Sequence, residues 1–503
     1  MLARKILLIF GAQILNALLS LISMFFIAQY MGPTPLGIIG FANGLIGLFA
    51  PSLGFDTAHY KRVSEGKELD KCIGTFVLIK IALACFLITI IVCGIFMWKS
   101  LFGGFESCTH EVVIYIVLAT TVISNLSLIM LSTFGAKKES AKQQIPQVIG
   151  SFIRVPIIVF VAETSLGVVF LAGAYTISAL IVFIVALILF RDYPVSKPNK
   201  KYLKSYAKFA MPAMVGEISF MVSINLDKVM IGYFFDFNEV GYYIPVLQII
   251  TPLMFIATAT GMILLPTISA IHSKNDKYIG QIKQITHATE RYGSMFAVPI
   301  IVLIMVFSES IVLIILGDEF LSSINILRIL ALMPLFAITI RPYGVLIEGI
   351  NRPDIAGKLN FFVVLINMLL NLIFIPNELG GVELFGFGAI GAALATLISW
   401  VIRSILIHIF AYKLTQIKLN PKVIVHFMAG VGIGAPLYSV LGMVSSYHPY
   451  YIVPLSVISI GCYFGVLYIV REFSKDDIQF LLDLLNPKKM GEYMQSEIKE
   501  KNH

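Results

Sequence analysis

Residues 27–37, which read IAQYMGPTPLG, have a counterpart 204 positions later in residues 231–241, which read IGYFFDFNEVG. The first stretch ends with Gly37 and the second with Gly241. One weak match of this kind means little by itself. It raises the question of whether the chain contains an internal repeat. The composition indicates which class of protein such a repeat would belong to.

Composition places the chain in a membrane. Of its 503 residues, 58% are hydrophobic and only 13% are charged, and its mean hydropathy is +0.89. Soluble domains carry about 25% charged residues, so this shortage along the whole length indicates a polytopic membrane protein. Each apolar segment is long enough to span as a helix of about 20 residues. The fourteen segments lie near 6–31, 36–55, 73–97, 111–134, 145–162, 167–190, 207–234, 239–265, 291–316, 324–347, 359–376, 385–410, 423–444 and 450–470.

The connectors between these segments alternate in charge. One alternate set holds 30 of the 37 Lys and Arg residues, whereas the opposite set holds Lys99 alone. By the positive-inside rule, both termini are cytoplasmic in the cell membrane. Because the basic residues are distributed over many short loops, the net charge of +8 does not indicate nucleic acid as a partner.

Two further matches extend the repeat. Gly135 aligns with Gly349 at an offset of 214, and Gly167 aligns with Gly388 at an offset of 221. The offsets rise in chain order, as insertions in loops would produce. The sequence therefore predicts two lobes of six helices, and since six is even, both lobes enter the membrane in the same orientation.

The predicted fold is an all-α polytopic membrane protein of about fourteen transmembrane helices, with two parallel six-helix lobes around a central cavity. Ser474 and Asp477 have the spacing of a helix capping box, which predicts a short amphipathic helix in the tail. The predicted divisions are an N-lobe at 1–190, a cytoplasmic linker at 191–206, a C-lobe at 207–412, two further helices at 413–470 and a cytoplasmic tail at 471–503.

Three segments resemble a known family. They are LDKVMIGYF…EVGYY at 226–243, IAQYMGPTPLGIIGFANGLIGLFAPSLGF at 27–55 and FGAIGAALATLIS at 387–399. They resemble the polysaccharide-transport proteins, O-antigen flippase-like, that flip lipid-linked oligosaccharides and share a superfamily with multidrug antiporters and the lipid II flippase. The resemblance covers about residues 1–470. It implies a two-lobed transporter of twelve or fourteen helices with a central cation-lined cavity.

Arg154 is the intramembrane charge placed furthest from either surface. A charge at this depth costs about 2.5–3.5 kcal/mol on insertion scales, so the side chain is expected to face protein or water. It lies near the middle of the segment 145–162, where snorkelling barely reaches the surface. Arg154 therefore predicts either a cation that meets a phosphate in a hydrated cavity or a structural pairing with Glu217 or with backbone carbonyls.

Asp227 and Lys228 lie side by side in another apolar segment. Neighbouring residues point about 100° apart on a helix, so the two side chains face different ways. Lys228 is a candidate substrate-binding cation, while Asp227 and Glu217 are candidates for coupling transport to an ion. The repeat places uncharged residues at the matching positions of the first lobe, which favours function, with a fixed interhelical pair for Asp227 as the alternative.

Arg341 is the third candidate substrate-binding cation. It precedes Pro342, which bends a helix and frees a carbonyl, as is common beside a cavity, although a snorkelling arginine is the alternative. Snorkelling is expected for three other basic residues, Lys80, Arg328 and Arg403. At the inner interface, solvated or capping roles are expected for Asp56, His59 and Glu348.

The leading function is a flippase for an isoprenoid-(pyro)phosphate-linked oligosaccharide, used in cell-surface polysaccharide or glycan biosynthesis. An ion-coupled antiporter for organic cations is an alternative, as is a membrane-embedded glycosyltransferase or polymerase. The excess of buried Arg and Lys opposes the antiporter, and the short connectors oppose the enzyme. Neither catalytic residues, nor a cofactor, nor a metal site is expected. Expected partners are the lipid-linked substrate, membrane lipids, H⁺ or Na⁺, and glycan-assembly enzymes.

Overall fold

The computed structural model describes residues 2–50, 54–66, 68–105, 107–272, 279–443, 451–474, 477 and 479. Of the residues that the structure describes, 86% lie in helices, so the predicted fold class is confirmed. The first lobe's sequence forms α1 Leu2–Met31, α2 Pro33–Phe49, α3 Phe55–Ser64, α4 Leu69–Phe102, α5 Cys108–Ala136, α6 Ser140–Glu163 and α7 Val168–Phe190. The remainder forms α8 Lys200–Phe234, α9 Phe237–His272, α10 Ile279–Val306, α11 Ser308–Ile315, α12 Ser323–Leu330, α13 Met333–Gly349, α14 Pro353–Phe374, α15 Gly388–Thr415, α16 Lys422–Met443 and α17 Ile452–Ile469.

Each of the fourteen predicted segments coincides with at least one helix. In the part of the chain that is described, eleven helices are long and apolar enough to cross a membrane, and the bent α8 brings this number to twelve. The halves of α8, Lys200–Met211 and Gly216–Phe234, meet at an angle of 56°. The helix α2 is apolar but has only 17 residues.

Two predicted spans are each divided into two helices. The segment 291–316 consists of the end of α10 and the short α11, and the segment 324–347 consists of α12 and α13. Pro334 is at the start of α13, where its missing N–H leaves no helical hydrogen bond unmade. Hydropathy alone does not reveal such a break, because both halves are apolar.

The two copies of the opening repeat pack against each other. A methyl group added at Gly37 would overlap the backbone carbonyl of Phe237, and one added at Gly241 would overlap that of Pro33. Phe237 is the repeat equivalent of Pro33, so the two contacts are reciprocal under the offset of 204. Glycine at these two positions lets the start of α2 approach the start of α9 closely.

Contacts divide the chain into two compact units. The N-terminal unit consists of Lys5–Pro245 with Met368–Ala392, and the C-terminal unit consists of Val246–Asn367 with Ala393–His503 and Met1–Arg4. These units are defined by packing, whereas the predicted lobes follow the repeat, so the lobe boundaries stay a prediction. Each unit has its own apolar core.

Aromatic and β-branched side chains fill these cores. In the N-terminal unit, Phe76 and Tyr206 are inaccessible and pack with Ile129 between α4, α5 and α8. In the C-terminal unit, Ile268 of α9 packs with Leu346 of α13 and with the end of α15. The helices that carry the charged residues below are therefore fixed by apolar packing, which gives each buried charge a defined environment.

The capping box predicted in the tail is present. The backbone N–H of Ser474 donates to Asp477 Oδ2 at 2.8 Å, and the backbone N–H of Asp477 donates to Ser474 Oγ at 3.3 Å. Arg291 also donates to Asp477, and this guanidinium holds the pKa of the carboxyl well below its usual range. The rest of the predicted amphipathic helix lies largely outside the described residues.

Candidate functional site

Asp227 is at the centre of a buried polar cluster in the N-terminal unit. Only 5% of the residue is exposed. The Tyr243 hydroxyl of α9 donates to Oδ2 at 2.9 Å, and the Asn371 amide of α14 donates to Oδ1 at 2.6 Å. Both oxygens of one carboxylate thus accept hydrogen bonds from neutral side chains, an arrangement that stabilises its charge in a dry environment.

Lys228 points away from this cluster along α8. Its Nζ lies 3.4 Å from Asn225 Oδ1, and the side chain is half-buried. Two glycines of α2 make room here: a methyl group at Gly44 would be 3.1 Å from the Lys228 Cβ, and one at Gly47 would be 2.7 Å from the Asn225 side chain. Asp227 and Lys228 therefore occupy different environments, as the turn of the helix predicts.

Arg154 lies between three helices of the same unit. Its guanidinium donates to Ser20 Oγ of α1 at 3.1 Å, and its Cζ is 5.3 Å from the ring centroid of Tyr175 on α7. Its Nε is buried and has no hydrogen-bond partner within the described part of the chain. Arg154 makes no ion pair with any carboxylate described, so the alternative of a pairing with Glu217 is not supported.

Arg341 and Arg403 occur together in the C-terminal unit. Gly261 of α9 makes room for Arg341 of α13, because a methyl group there would overlap the guanidinium. Arg403 of α15 has Arg341 and Glu348 as its electrostatic neighbours, and its Cζ lies 5.1 Å from the ring centroid of Trp400. The Nε atoms of both arginines are buried without an acceptor among the described residues.

Lys80 does not snorkel, and that expectation was wrong. Its side chain is 2% exposed, and Nζ pairs with Asp56 Oδ1 of α3 at 2.7 Å. The expectation that Asp56 is simply solvated therefore also fails. A buried cation with a carboxylate already beside it has little attraction left for a substrate anion.

His59 is buried, contrary to the expectation of a solvated residue. It is fully inaccessible, its ring stacks on Phe76, and its two nitrogens lie 2.8 Å from the Tyr206 hydroxyl and 2.8 Å from Thr133 Oγ1. Burial, with a smaller contribution from nearby Lys80, lowers the pKa of His59 to about 3. With both nitrogens satisfied, this histidine stabilises the packing of α3 against α5 and α8.

The five predicted site residues are therefore distributed over both units. Asp227 and Lys228 are neighbours on α8, Glu217 lies half-buried on the same helix, and Arg154 belongs to the same unit. Arg341 belongs to the C-terminal unit. Sequence reasoning missed their partners, because these come from other helices.

One signal was nevertheless available for the missed partners. Tyr243 is in the same stretch as Asp227, at 226–243, and Asn371 is a polar residue in an otherwise apolar segment. An intramembrane amide is costly unless it is hydrogen-bonded, so it marks a polar contact by default. Among the residues that the structure describes, no group of three or more His, Cys, Asp or Glu side chains is arranged to hold a metal ion.

Comparison with known proteins decides the family. The profile of a family described as polysaccharide biosynthesis protein matches residues 27–325. The chain belongs to this family. The recognised resemblance to polysaccharide-transport proteins is thereby confirmed.

Two curated relatives are archaeal. A "probable low-salt glycan biosynthesis flippase" of Haloferax volcanii, Agl15, is 24% identical over 426 residues, which cover 83% of this chain and 85% of the relative. The uncharacterised membrane protein MJ1068 of Methanocaldococcus jannaschii is 26% identical over 239 residues, covering 46% of this chain and 44% of the relative.

Solved structures show the same fold. The lipid II flippase MurJ, in an inward closed conformation, matches with a TM-score of 0.73 at 16% identity, covering 92% of this chain and 98% of MurJ. A multidrug resistance MATE family transporter in an inward-facing conformation matches with a TM-score of 0.61 at 16% identity, covering 80% of this chain and 96% of the transporter. At this level of identity the likeness establishes the transporter fold and leaves the substrate open.

Proposed function

We propose that this protein is a flippase that moves an isoprenoid-(pyro)phosphate-linked oligosaccharide across the cytoplasmic membrane by alternating access, for surface polysaccharide or glycan biosynthesis. Membership of the polysaccharide biosynthesis family supports the proposal, as do the similarity to the probable glycan biosynthesis flippase of Haloferax and the fold shared with MurJ. The lipid tail stays in the bilayer during such a reaction. The protein therefore has to shelter only the phosphate and the sugars.

The observation that carries the proposal is a contrast between buried or half-buried cations that have a carboxylate partner and half-buried cations that have none in the described chain. Lys80 has Asp56 beside it, and Arg291 has two carboxylates. Arg154, Arg341 and Arg403 have no ion pair with a carboxylate in the described chain, although each buries its Nε. An uncompensated cation in a membrane is costly, so its retention is best explained by a ligand that supplies the negative charge.

The roles of the candidate residues follow from their chemistry. Arg154 and Arg341 offer guanidinium donors that match the geometry of phosphate oxygens, and Lys228 adds a point charge. Asp227, with oxygen and amide groups around it, is the candidate for Na⁺ or H⁺ coupling, and Glu217 is a second candidate on the same helix. No cofactor or catalytic residue is needed for this function.

Binding can be tested with the chain's own fluorescence. The protein has two tryptophans, and Trp400 lies beside Arg403. In a Trp98→Phe variant, an isoprenyl phosphate is expected to change the emission of Trp400 in a saturable way, and Arg403→Ala is expected to abolish the change. An isoprenyl alcohol of the same length is the control. An equal response to the alcohol would refute recognition of the phosphate.

An organic-cation antiporter is the second candidate, because the MATE transporter shares the fold. That activity would need acidic side chains to receive a cationic drug. Arg154, Arg341 and Arg403, which have no carboxylate partner in the described chain, are basic, and this favours an anionic substrate. The same fluorescence experiment separates the two, since an organic cation is expected to leave Trp400 unchanged.

The membrane orientation is part of the proposal, with both termini in the cytoplasm. The Thr34 hydroxyl donates to Asn238 Oδ1 at 2.5 Å, so the start of α2 lies beside the start of α9, which supports the same sidedness for both. Single cysteines at Thr34 and Asn238 are expected to react with a membrane-impermeant reagent from outside. Those at Ser140 and Asn420 are expected to react only from inside. Labelling of position 238 from inside would overturn the orientation.

A further inference from the structure

Glu290 is a buried carboxylic acid that none of the assignments above uses. It lies on α10 in the C-terminal unit and is 1% exposed. The Tyr343 hydroxyl of α13 donates to its Oε2 at 2.8 Å. In the sequence, Glu290 lies directly before Arg291, where the apolar segment 291–316 begins, so its position alone does not mark it as an intramembrane acid.

His408 of α15 faces the other oxygen of this carboxyl. Its Nδ1 lies 2.6 Å from the Ser404 carbonyl oxygen, so Nδ1 carries the proton and donates it. In a neutral ring, Nε2 is then an acceptor. This Nε2 lies 4.0 Å from Glu290 Oε1 and has no hydrogen bond to the part of the chain described.

Two acceptors therefore face each other when Glu290 is ionised and His408 is neutral. One added proton, on either Oε1 or Nε2, turns this repulsive contact into a hydrogen bond or an ion pair. The gap of 4.0 Å is about 1 Å longer than a formed bond, so proton binding would also draw α10 and α15 together.

Two other buried histidines lack this property. His59 has hydroxyl partners on both nitrogens. His426 bonds Ser294 through Nδ1 at 2.8 Å, and its Nε2 lies 3.7 Å from Glu472, whose carboxylate is already held by Arg291. Neither histidine therefore forms, with a carboxylate, a pair that needs one more proton to become bonded.

Among the residues that the structure describes, the groups around Glu290 do not include a compensating cation. Tyr343 comes from α13 and His408 from α15, and the backbone of Asn420 also interacts with the carboxyl. On α10 itself, the His287 ring bonds the Lys418 carbonyl at 2.9 Å. The flanking Arg291 turns to Glu472 and Asp477, and His426 of α16 bonds Ser294.

We propose that Glu290 and His408 form a proton-binding site, and that the proton held there is the ion that couples transport. The coupling part rests on the proposed transport function, whereas proton binding does not. Loading the site joins α10 to α15, and α13 is attached through Tyr343. The state of one proton thereby sets the packing of three helices in the C-terminal unit.

Asp227 differs from this site in the hydrogen bonds that its two carboxylate oxygens receive. Both of its oxygens accept hydrogen bonds from neutral donors, which favours a permanent carboxylate. Glu290 has the Tyr343 hydroxyl as a donor on Oε2, a hydrogen bond from the backbone of Asn420, and an acceptor, His408 Nε2, opposite Oε1. The first arrangement keeps a carboxylate charged, and the second suits a proton.

Infrared difference spectra of the protein in nanodiscs, with the proton as the only ligand, test binding. Between about pH 8 and about pH 5, one carboxylic-acid C=O band is expected to appear. Glu290→Gln is expected to remove it, and His408→Gln is expected to shift its midpoint. Glu309→Gln, at an exposed glutamate of the same unit, is the matched control and retains the band. An unchanged band in Glu290→Gln would overturn the proposal.

Coupling is tested by flipping in liposomes with and without a proton gradient in Na⁺-free buffer. The gradient is expected to accelerate the wild type and to have no effect on Glu290→Gln. This variant is expected to fold, since its amide accepts from Tyr343 and donates to His408, as the protonated acid would. A wild type that flips equally fast without the gradient would refute coupling. A wild type that flips at no pH would instead refute the proposed function, while the infrared result stands.

Discussion

Replacing Arg154 by alanine separates a substrate-binding arginine from a structural one. The change removes the hydrogen bond to Ser20 and the contact with the Tyr175 ring. A hydrogen bond from a charged group contributes about 1.5–3 kcal/mol and a cation–π contact about 0.5–1 kcal/mol. The change also removes a buried Nε that lacks a partner, and removing the desolvation penalty of this donor stabilises the protein by about 1–3 kcal/mol. The net loss of stability is therefore at most about 3 kcal/mol and centred near about 1 kcal/mol, so the variant is expected to fold.

Transport is expected to respond much more strongly than folding. A charge-assisted bond to a phosphate oxygen is worth about 1.5–3 kcal/mol, so flipping at limiting substrate is expected to fall about 10- to 100-fold. Arg154→Lys is expected to recover part of this loss, because it keeps the charge and loses the planar fork. The assay is flipping of a fluorescent isoprenyl-phosphate sugar in liposomes, with thermal unfolding measured on the same samples.

Arg328 provides the matched control for this experiment. Like Arg154 it has a serine and a tyrosine as partners: its Nε donates to Ser308 Oγ at 2.8 Å, and its Cζ is 5.6 Å from the Tyr438 ring centroid. Its Nε is thus satisfied where that of Arg154 is not. Arg328→Ala is expected to transport at close to the wild-type rate. Equal losses in both alanine variants, or normal transport by Arg154→Ala, would refute the reasoning.

Three further predictions follow from buried contacts. Asp227→Asn is expected to fold but to transport more slowly, since the Tyr243 hydroxyl can rotate to accept from the new amide; normal transport would show that the charge is not used. Lys80→Met is expected to lower the unfolding free energy by about 3–5 kcal/mol and the double variant with Asp56→Asn by less, and additive losses in chemical unfolding would contradict a buried pair. Gly37→Ala is expected to lower the unfolding temperature, whereas Gly11→Ala, with open space around it, is not, so equal temperatures would disprove the close contact.

The sequence predicted those features that depend on one helix or on repeat spacing. Hydropathy located the fourteen helical segments, and the offset of 204 matched Gly37 with Gly241, which the structure places in reciprocal contacts. The capping box of Ser474 and Asp477 was predictable because both partners lie within one turn. Such features are local along the chain, or repeat along it, so they leave a linear signal.

The sequence did not show which residues on different helices pair with each other. Lys80 was expected to snorkel because the sequence does not show that α3 folds back to place Asp56 beside it. Glu290 looked like a loop residue because it is next to Arg291, yet Arg291 turns to the tail while Glu290 turns inward to Tyr343. Which way a side chain faces depends on helix packing, and hydropathy averaged along the chain does not record it.

The most direct test of the account is whether the purified protein alone flips a lipid-linked sugar phosphate in sealed liposomes. We predict that the protein exposes a fluorescent isoprenyl-phosphate oligosaccharide to an external quencher, that Arg154→Ala slows this about 10- to 100-fold, and that an organic cation is not moved. Movement of the organic cation with no effect on the phosphate lipid would contradict the account. It would place the protein among the cation antiporters that share its fold.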